Sequence, residues 1–155
     1  GPNKDKKFIQ KLMKQIKDGN KKLFIVDDKD GTPTYTHDFA KNVKLLIKKE
    51  CWGLYNLVCD GQTNRMEVAS ELLRLLNLEK EIKLVSVKSD YFKDIYFAER
   101  PPNERLINKK LDLKNLNIMR DWKSALKEYL ENYYQDYLNS HELVTQEPVE
   151  SKHGA

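Results

Sequence analysis

A segment near residue 100 carries the side chain best suited to binding an anion. Arg100 is followed by Pro101 and Pro102, and its planar guanidinium offers several N–H donors in a geometry that fits phosphate oxygens. The two prolines stiffen the backbone, which reduces the entropy lost when a ligand binds. The alternative is that Arg100 only forms an ion pair with Glu99 or Glu104. The segment therefore predicts either a contact to an anion such as phosphate or a surface ion pair.

A second segment, residues 27–40, combines charged, hydroxyl and turn-forming side chains. It follows a short apolar run and leads into a helix. Thr32 and Thr34 have hydroxyls that can hydrogen-bond a sugar or a base, and equally Thr34 and Pro33 can simply shape the turn before the helix. Lys29 is either near a phosphate or a solvated loop lysine. The segment therefore predicts either a ligand-binding loop or a turn that leads into the helix.

Several catalytic and cofactor motifs are absent from the sequence. None of the six glycines forms a GxGxxG or GxxxxGK loop, no serine lies in GxSxG, and no tyrosine begins a Tyr-x-x-x-Lys motif. Cys51 and Cys59 have no CxxC spacing, and the three histidines are scattered. We therefore predict no metal site, and reduced thiols in a cytoplasmic protein.

The net charge of +4 over 155 residues is unevenly placed. Residues 1–22 contain eight lysines and two aspartates, and such a basic arm suggests an anionic partner such as nucleic acid or a membrane surface. The alternative is the solvated face of an amphipathic helix, opposite an apolar face that includes Phe8 and Ile16. No apolar stretch approaches the length of a membrane span, so we expect no membrane-spanning segment.

The hydrophobic periodicity predicts an α/β chain. Strands are expected at 23–26, 54–58 and 83–87, and helices at 4–18, 37–50, after Asn64, at 108–115 and at 121–139. From Ser140 onward the composition turns polar, which predicts a flexible tail over residues 140–155.

Three details of this pattern can be tested directly. The strand at 23–26 is apolar throughout, which predicts cover on both of its faces. Thr36 is expected to cap the second helix, and Asn64 and Glu67 to form a capping box for the third. One face of the second helix is expected to be buried, namely Phe39, Ala40, Val43, Leu46 and Ile47.

Four motifs occur in an order that resembles one family. They are residues 27–40, Gly53-Leu54-Tyr55-Asn56-Leu57, Glu99-Arg100-Pro101-Pro102-Asn103 and Met119-Arg120-Asp121-Trp122-Lys123-Ser124-Ala125-Leu126. Over roughly residues 4–131, the series resembles the C-terminal half of dTDP-4-dehydrorhamnose reductases and their sugar-nucleotide-binding relatives among the extended short-chain dehydrogenase/reductases. Two positions depart from the family pattern: Lys29 stands where Gln is common, and Lys7 where Asn is common.

The resemblance implies an α/β fold made of the last Rossmann strands and a small helical substrate-binding domain. It implies reduction of a 4-keto sugar nucleotide with NADPH or NADH, in which a tyrosine donates a proton and the cofactor delivers hydride. In that family the GxxGxxG loop and the Tyr-x-x-x-Lys pair belong to the N-terminal half, so no catalytic or cofactor-binding residue is expected here. The substrate-binding residues that it implies are Lys29, Gly31, Thr32, Pro33, Thr34, Arg100 and Asn103.

The expected organisation is a sugar-nucleotide-binding part at 1–139 and a tail at 140–155. Because Gly1 is not a methionine, we expect a processed product or a piece of a longer protein. The expected partners are a nucleotide sugar, the N-terminal Rossmann half and a second copy in a homodimer. Alone, the chain is expected to bind no NADPH, to be inactive and to be marginally stable. The alternative is a non-enzymatic basic α/β module that binds nucleic acid or another polyanion. We favour this hypothesis less than the reductase hypothesis, because no aromatic residues that could stack on bases are interleaved with the lysines of the basic helix.

Overall fold

The computed structural model describes residues 8–94 and 101–142. Its two strands lie among helices in the first part of the chain, and only helices follow in the second. The elements are α1 (Phe8–Lys17), β1 (Lys22–Val26), α2 (Thr36–Lys48), α3 (Arg65–Leu75), β2 (Lys83–Val87), a 3-10 helix (Ser89–Phe92), α4 (Lys109–Leu113), α5 (Trp122–Tyr133) and α6 (Gln135–Glu142). The predicted α/β class is confirmed. Within the described ranges, every helix is too short or too polar to cross a lipid bilayer.

The two strands form a parallel sheet in which Lys22 lies opposite Lys83 and Val26 opposite Val87. A parallel pair needs a crossover connection, which here includes α2 and α3. Two of the three predicted strands, at 23–26 and 83–87, are therefore confirmed. The expectation that the first strand is covered on both faces is wrong, because Phe24 is 43% exposed.

The core lies on one side of this sheet, where α1, α3 and α5 pack together with β1. At its centre is α3, which contacts both strands and α5. The buried apolar side chains of these elements are Leu12, Met13, Ile16, Leu23, Ile25, Val68, Ala69, Leu72, Leu73, Trp122, Ala125, Leu126 and Leu130. Burying this much apolar surface is the main force that holds the helices against the sheet.

Two helix boundaries follow the sequence signals closely. The Asn64 side chain accepts a hydrogen bond of 2.9 Å from the backbone N–H of Glu67, so the Asn64 half of the predicted capping box is confirmed. At the end of α1, Gly19 has φ +82° and its N–H donates to the Ile16 carbonyl at 3.0 Å. Glycine adopts this left-handed conformation without a steric cost, which explains why the helix stops there.

The prediction of a strand at 54–58 is wrong, because the structure assigns no strand to these residues. The Asn108 side chain takes the place of a neighbouring strand at one residue: its Oδ1 accepts from the Val58 N–H at 3.0 Å, and its Nδ2 donates to the Val58 carbonyl at 2.7 Å. Two residues later, Asp60 pairs with the backbone on either side of Asp121. The segment is thus held in place without belonging to the sheet.

The predicted buried face of α2 is also largely wrong. The helix buries Asp38, Asn42 and Leu46, whereas Phe39 is 44% and Ile47 56% exposed. Buried polar groups must find partners, and Asn42 does so by donating to the Leu116 carbonyl at 3.1 Å and accepting from the Ile118 N–H at 3.2 Å. These hydrogen bonds select which face of α2 turns inward.

The N-terminus of α2 differs from expectation as well. Thr36 is the first residue of the helix, the N-cap position is Tyr35, and no side chain caps it. The predicted cap at Thr36 is therefore wrong.

The long helix predicted at 121–139 is two helices. At Tyr134 the backbone leaves the helical region, with φ −137° and ψ 25°, and α6 begins at the next residue and continues to Glu142. The aromatic stripe of this segment does pack as expected: Trp122 and Leu130 belong to the core, and Tyr129 and Tyr137 pack against it.

Candidate functional site

Three loops meet at one place beyond the carboxyl end of β1. Isolated backbone bridges join Asp30 to Asn64 on one side and to Asn103 on the other. In open α/β sheets, ligands bind outside the carboxyl ends of the strands, which makes this place the candidate site. We call it the loop junction and define it as residues 29–34, 61–64 and 101–105.

The backbone of the loop junction is connected by direct hydrogen bonds. The Asp30 N–H donates to the Pro102 carbonyl at 2.8 Å, and the Asp30 carbonyl accepts from the Glu104 N–H at 2.9 Å. The Gly31 N–H donates to the Thr63 carbonyl at 3.1 Å. Loops that are joined by backbone hydrogen bonds are ordered before a ligand binds, so little conformational entropy is lost on binding.

Arg105 is the cation at the centre of this junction. Its guanidinium donates to Gln62 Oε1 at 2.8 Å and to Asn103 Oδ1 at 3.2 Å, and lies 3.4 Å from Asp30 Oδ2. Its side chain is 32% exposed. Because one arginine contacts all three loops, it both fixes their arrangement and presents positive charge at the surface of the junction.

The structure brings together three of the predicted site residues. Gly31 and Thr32 bond to the second loop, the Thr32 hydroxyl donating to the Gly61 carbonyl at 2.8 Å. Asn103 pairs with Asp30 through its backbone, and its side chain accepts from the Arg105 N–H at 2.9 Å. These contacts are structural, because each predicted ligand group already has a partner within the protein.

The remaining predicted residues have a different status. Lys29 and Pro33 are half-buried, and Thr34 is exposed at the surface. Arg100 lies outside the described residues.

Next to the junction, the carboxyl ends of the two strands form a charged cluster. Asp27 accepts a hydrogen bond from the Ser86 hydroxyl and one of 3.0 Å from Lys88 Nζ. These two hydrogen bonds hold the pKa of Asp27 below its usual value, and the one from Ser86 has the larger effect. The aspartate is therefore an anion at neutral pH.

Asp28 ties the same strand end to the 3-10 helix. Burial acts to raise the pKa of Asp28, yet the hydrogen bonds from the Ser89 N–H at 3.1 Å and from its hydroxyl at 2.9 Å outweigh it and lower that pKa. Both aspartates are thus acceptors that order the loop, and neither is suited to act as a general acid at neutral pH.

Beneath the junction, the one buried thiol of the described residues is inert. Burial raises the pKa of Cys59, which is 2% exposed, and its Sγ accepts from the Tyr35 N–H at 3.5 Å. A thiol that stays protonated is a poor nucleophile. In the described ranges there is also no group of three or more His, Cys, Asp or Glu side chains that could hold a metal ion. The arrangement can bind a polar ligand by hydrogen bonds and charge.

Asp30, Gln62 and Arg105 were not among the residues predicted from the sequence. A local signal for one of them was present, because an asparagine two residues before Arg105 is typical of a turn in which the side-chain oxygen accepts the N–H two positions on. The contact of Arg105 with Asp30 and Gln62 joins residues far apart in the chain, and only the folded structure creates it.

The chain matches the family described as RmlD substrate binding domain over residues 2–135. Among the curated proteins, it is 27% identical over 124 residues to the spore coat polysaccharide biosynthesis protein SpsK of Bacillus subtilis (strain 168). That match covers 80% of this chain and 41% of the relative.

Three solved structures share the fold. A dTDP-4-dehydrorhamnose reductase of Clostridium acetobutylicum ATCC 824 is 30% identical with a TM-score of 0.75, covering 84% of this chain and 45% of the relative. The reductase of Yersinia enterocolitica is 27% identical with a TM-score of 0.76, covering 86% and 45%. The reductase of Bacillus anthracis str. Ames, solved in complex with NADP, is 21% identical with a TM-score of 0.72, covering 85% and 44%, and shows likeness of fold alone. The chain therefore spans less than half the length of these relatives.

Proposed function

Because this chain belongs to the RmlD substrate binding domain family, we propose that it is the sugar-nucleotide-binding part of a reductase that acts on a 4-keto sugar nucleotide. The observation that carries the proposal is the extent of the family match. The matched residues, 2–135, include all three loops of the junction. Two solved structures with this fold are dTDP-4-dehydrorhamnose reductases.

The geometry of the junction supports a binding role. Its loops are ordered by their own hydrogen bonds, and its described residues offer cationic and hydroxyl groups without a nucleophile paired to a base. We propose that the diphosphate of the ligand lies at the 101–105 loop, close to Arg105, and that Arg100 binds it. Thr34, exposed at the edge of the same junction, is the proposed hydrogen-bonding contact for the sugar or the base. Lys29, Gly31, Thr32, Pro33 and Asn103 are then proposed to shape and support the loop junction around the ligand.

In the complete enzyme, the proposed cofactor is NADPH or NADH, which supplies the hydride that reduces the 4-keto group. The Bacillus anthracis relative, solved with NADP, is the precedent for this proposal. No residue of this chain is assigned to the cofactor, because its sequence has no glycine-rich loop that brings backbone N–H groups to a pyrophosphate. The N-terminal Rossmann half, a homodimer partner, a cytoplasmic location and a flexible tail remain predictions.

The test is substitution of Arg100 in the complete enzyme. Arg100→Ala is expected to weaken sugar-nucleotide binding by about 1.5–3 kcal/mol, the usual value of a charge-assisted hydrogen bond. Hydride transfer on the bound substrate is expected to change less, because a phosphate contact is mostly uniform binding. Calorimetric titration with dTDP-rhamnose and steady-state kinetics measure the two effects.

A charge-matched control is Arg74→Ala, which removes an arginine that pairs with Glu71 on the surface of α3, outside the junction. The control is expected to bind as the unaltered protein does. If the Arg100→Ala variant binds the sugar nucleotide as tightly as the unaltered protein, Arg100 does not contact the ligand and the ion-pair alternative is favoured.

The polyanion alternative rests on the lysines of α1. Lys11 and Lys14 are exposed opposite the buried Leu12, Met13 and Ile16, as expected for a solvated face. Binding of nucleic acid that falls steeply with rising salt, together with no response to dTDP-rhamnose, would favour this alternative.

A further inference from the structure

The guanidinium of Arg105 has hydrogen-bond donors that the loop junction does not use. Its Nε–H donates to Asn103 Oδ1 at 3.2 Å, and one NH1 hydrogen donates to Gln62 Oε1 at 2.8 Å. Among the described residues, the second NH1 hydrogen and both NH2 hydrogens have no hydrogen-bond acceptor, and NH2 has only an ion-pair contact with Asp30 Oδ2 at 3.4 Å. Because the Arg105 side chain is partly exposed, these donors are open to a ligand.

Arg120 shows how a purely structural arginine is bound in the same fold. Its Nε and NH2 donate to the buried carboxylate of Asp38 at 3.1 and 2.9 Å, and its NH1 donates to Glu128 at 2.6 Å. Two carboxylates thus neutralise this guanidinium and occupy all three of its nitrogens. Arg105 is held instead by two uncharged amide oxygens, which fix its position without cancelling its charge. The contrast identifies Arg105 as a guanidinium suited to binding an anion.

The orientation of Arg105 is fixed by the protein itself. Asn103 Oδ1 accepts from the backbone N–H of Arg105 at 2.9 Å and also from its Nε–H, so one amide oxygen holds both ends of the residue. Gln62 holds NH1 from the 61–64 loop. A side chain that is already held at two nitrogens loses little rotamer entropy when its third nitrogen binds a ligand. The NH2 group is therefore a preorganised donor.

The side chain of Asp30 pairs with Arg105 through a weak contact. Their 3.4 Å separation is longer than a charge-assisted hydrogen bond, and both side chains are partly exposed, so the pair contributes little to stability. The backbone of Asp30 holds the junction independently, through its N–H to the Pro102 carbonyl and its carbonyl to the Glu104 N–H. The carboxylate can therefore release the guanidinium without opening the junction.

We propose that the diphosphate of the sugar nucleotide binds the NH2 group of Arg105 and replaces Asp30 as its anionic partner. The proposal rests on the proposed function for the identity of the ligand, and it adds to Arg100 a second arginine and a carboxylate that competes with the ligand. A diphosphate carries more negative charge than a carboxylate and offers more acceptor oxygens, so the exchange is favourable. Asp30 then lowers the affinity of the junction for diphosphates, which favours release of a product that carries the same group.

The test measures the binding of inorganic pyrophosphate to the 155-residue chain by phosphorus NMR titration at low ionic strength. Asp30→Asn removes the competing charge and is expected to lower the Kd by about threefold or more, a gain that decreases as salt screens the charges. Arg105→Gln removes the donor and is expected to raise the Kd by roughly tenfold. The matched control is Glu81→Gln, which makes the same change in net charge at the opposite end of the strands, where Glu81 pairs with Lys21. The control is expected to change the Kd by less than about twofold.

The opposite signs of the two effects distinguish ligand binding from a structural role. If Arg105 only tied the loops together, Asp30→Asn and Arg105→Gln would both weaken binding, because each removes the same contact. A gain in affinity does not result from loss of folding, so Asp30→Asn decides the question even where Arg105→Gln lowers stability. Unchanged or weaker pyrophosphate binding by Asp30→Asn, an equal gain in Glu81→Gln, or no pyrophosphate binding by the unaltered chain would overturn the proposal.

A separate titration of the same variants with dTDP-rhamnose distinguishes this proposal from the proposed function. Pyrophosphate binding that follows the expected signs, together with no binding of dTDP-rhamnose, contradicts only the proposed function. Binding of dTDP-rhamnose with a Kd that Asp30→Asn leaves unchanged contradicts only the competition between Asp30 and the ligand.

Discussion

At the residue scale, the contact between Asp38 and Arg120 fixes how α2 and α5 are placed. The carboxylate is buried, whereas the guanidinium also reaches Glu128 at 2.6 Å near the surface. Removing one partner of a buried ion pair leaves an uncompensated charge, and this costs far more than losing an exposed pair. Arg120 therefore makes one buried and one more exposed ion pair, and breaking each in turn tests whether the buried pair holds the polar face of α2 inward.

Arg120→Met is expected to lower the free energy of unfolding by about 3 kcal/mol, because Asp38 stays buried without its partner. Glu128→Gln, which leaves the contact between Arg120 and Asp38 intact, is expected to cost less than about 1 kcal/mol. Urea unfolding of both variants measures the difference. Equal losses would mean that the buried carboxylate does not hold α2.

Gly61 is the residue of the loop junction that least tolerates a side chain. Its φ is +94°, and a Cβ there would lie 2.9 Å from Cδ1 of Trp122, a buried core residue. Gly61→Ala is therefore expected to lower the free energy of unfolding by about 2 kcal/mol, from backbone strain and overpacking together. Gly31→Ala is the matched control, since a Cβ there meets nothing within 4 Å. Thermal unfolding that ranks the two alike would contradict the argument.

At the scale of elements, the N-cap of α3 matters because α3 is the helix that packs on both strands. The Asn64 side chain satisfies one of the free N–H groups at the helix start, and its backbone also meets Asp30 of the junction. The cap thus joins the core helix to the candidate site.

Asn64→Ala is expected to cost about 1 kcal/mol of stability through loss of the capping hydrogen bond. Asn64→Asp keeps an acceptor at the same place, next to the positive end of the helix, and is expected to be close to neutral. Equilibrium unfolding distinguishes them. If the two variants lose the same stability, the side-chain cap contributes nothing and only the backbone contact of Asn64 matters.

At the scale of the whole molecule, the paired carboxylates set the response to acid. The hydrogen bond from Arg74 lowers the pKa of Glu71, and the hydrogen bond from Arg120 lowers that of Glu128. A folded-state pKa below the unfolded value stabilises the fold fully above the unfolded pKa, and this stabilisation is lost as pH falls through the folded pKa.

We therefore expect Tm to be nearly constant between about pH 8 and pH 5 and to decrease below about pH 4.3, the ordinary pKa of glutamate. The double variant Glu71→Gln, Glu128→Gln is expected to begin with a lower Tm at pH 7 and to lose less of it on acidification. Calorimetric scans at a series of pH values measure both curves. Parallel curves would show that these two carboxylates do not carry the acid response.

The fold class and several elements could be predicted from patterns in short segments of the sequence. The β1 and β2 strands, the Asn64 cap and the stop of α1 at Gly19 depend on apolar runs, one side-chain acceptor and one permissive glycine. The four motifs likewise identify the family, because their residue types and order are properties of the chain itself. Each of these features has a signal in residues that are close together in the sequence, so the sequence was sufficient to predict it.

Only the tertiary structure decided which face of α2 is buried, where the long C-terminal helix breaks and which arginine holds the loop junction. Asp38 meets Arg120 across more than eighty residues, and Asp30 meets Arg105 across more than seventy. A buried polar side chain reverses the expected hydrophobic face when its partners lie on another element, and periodicity alone contains no information about those partners. Residues 54–57 show the same limit, because an apolar run becomes a strand only when another strand is present to accept its hydrogen bonds.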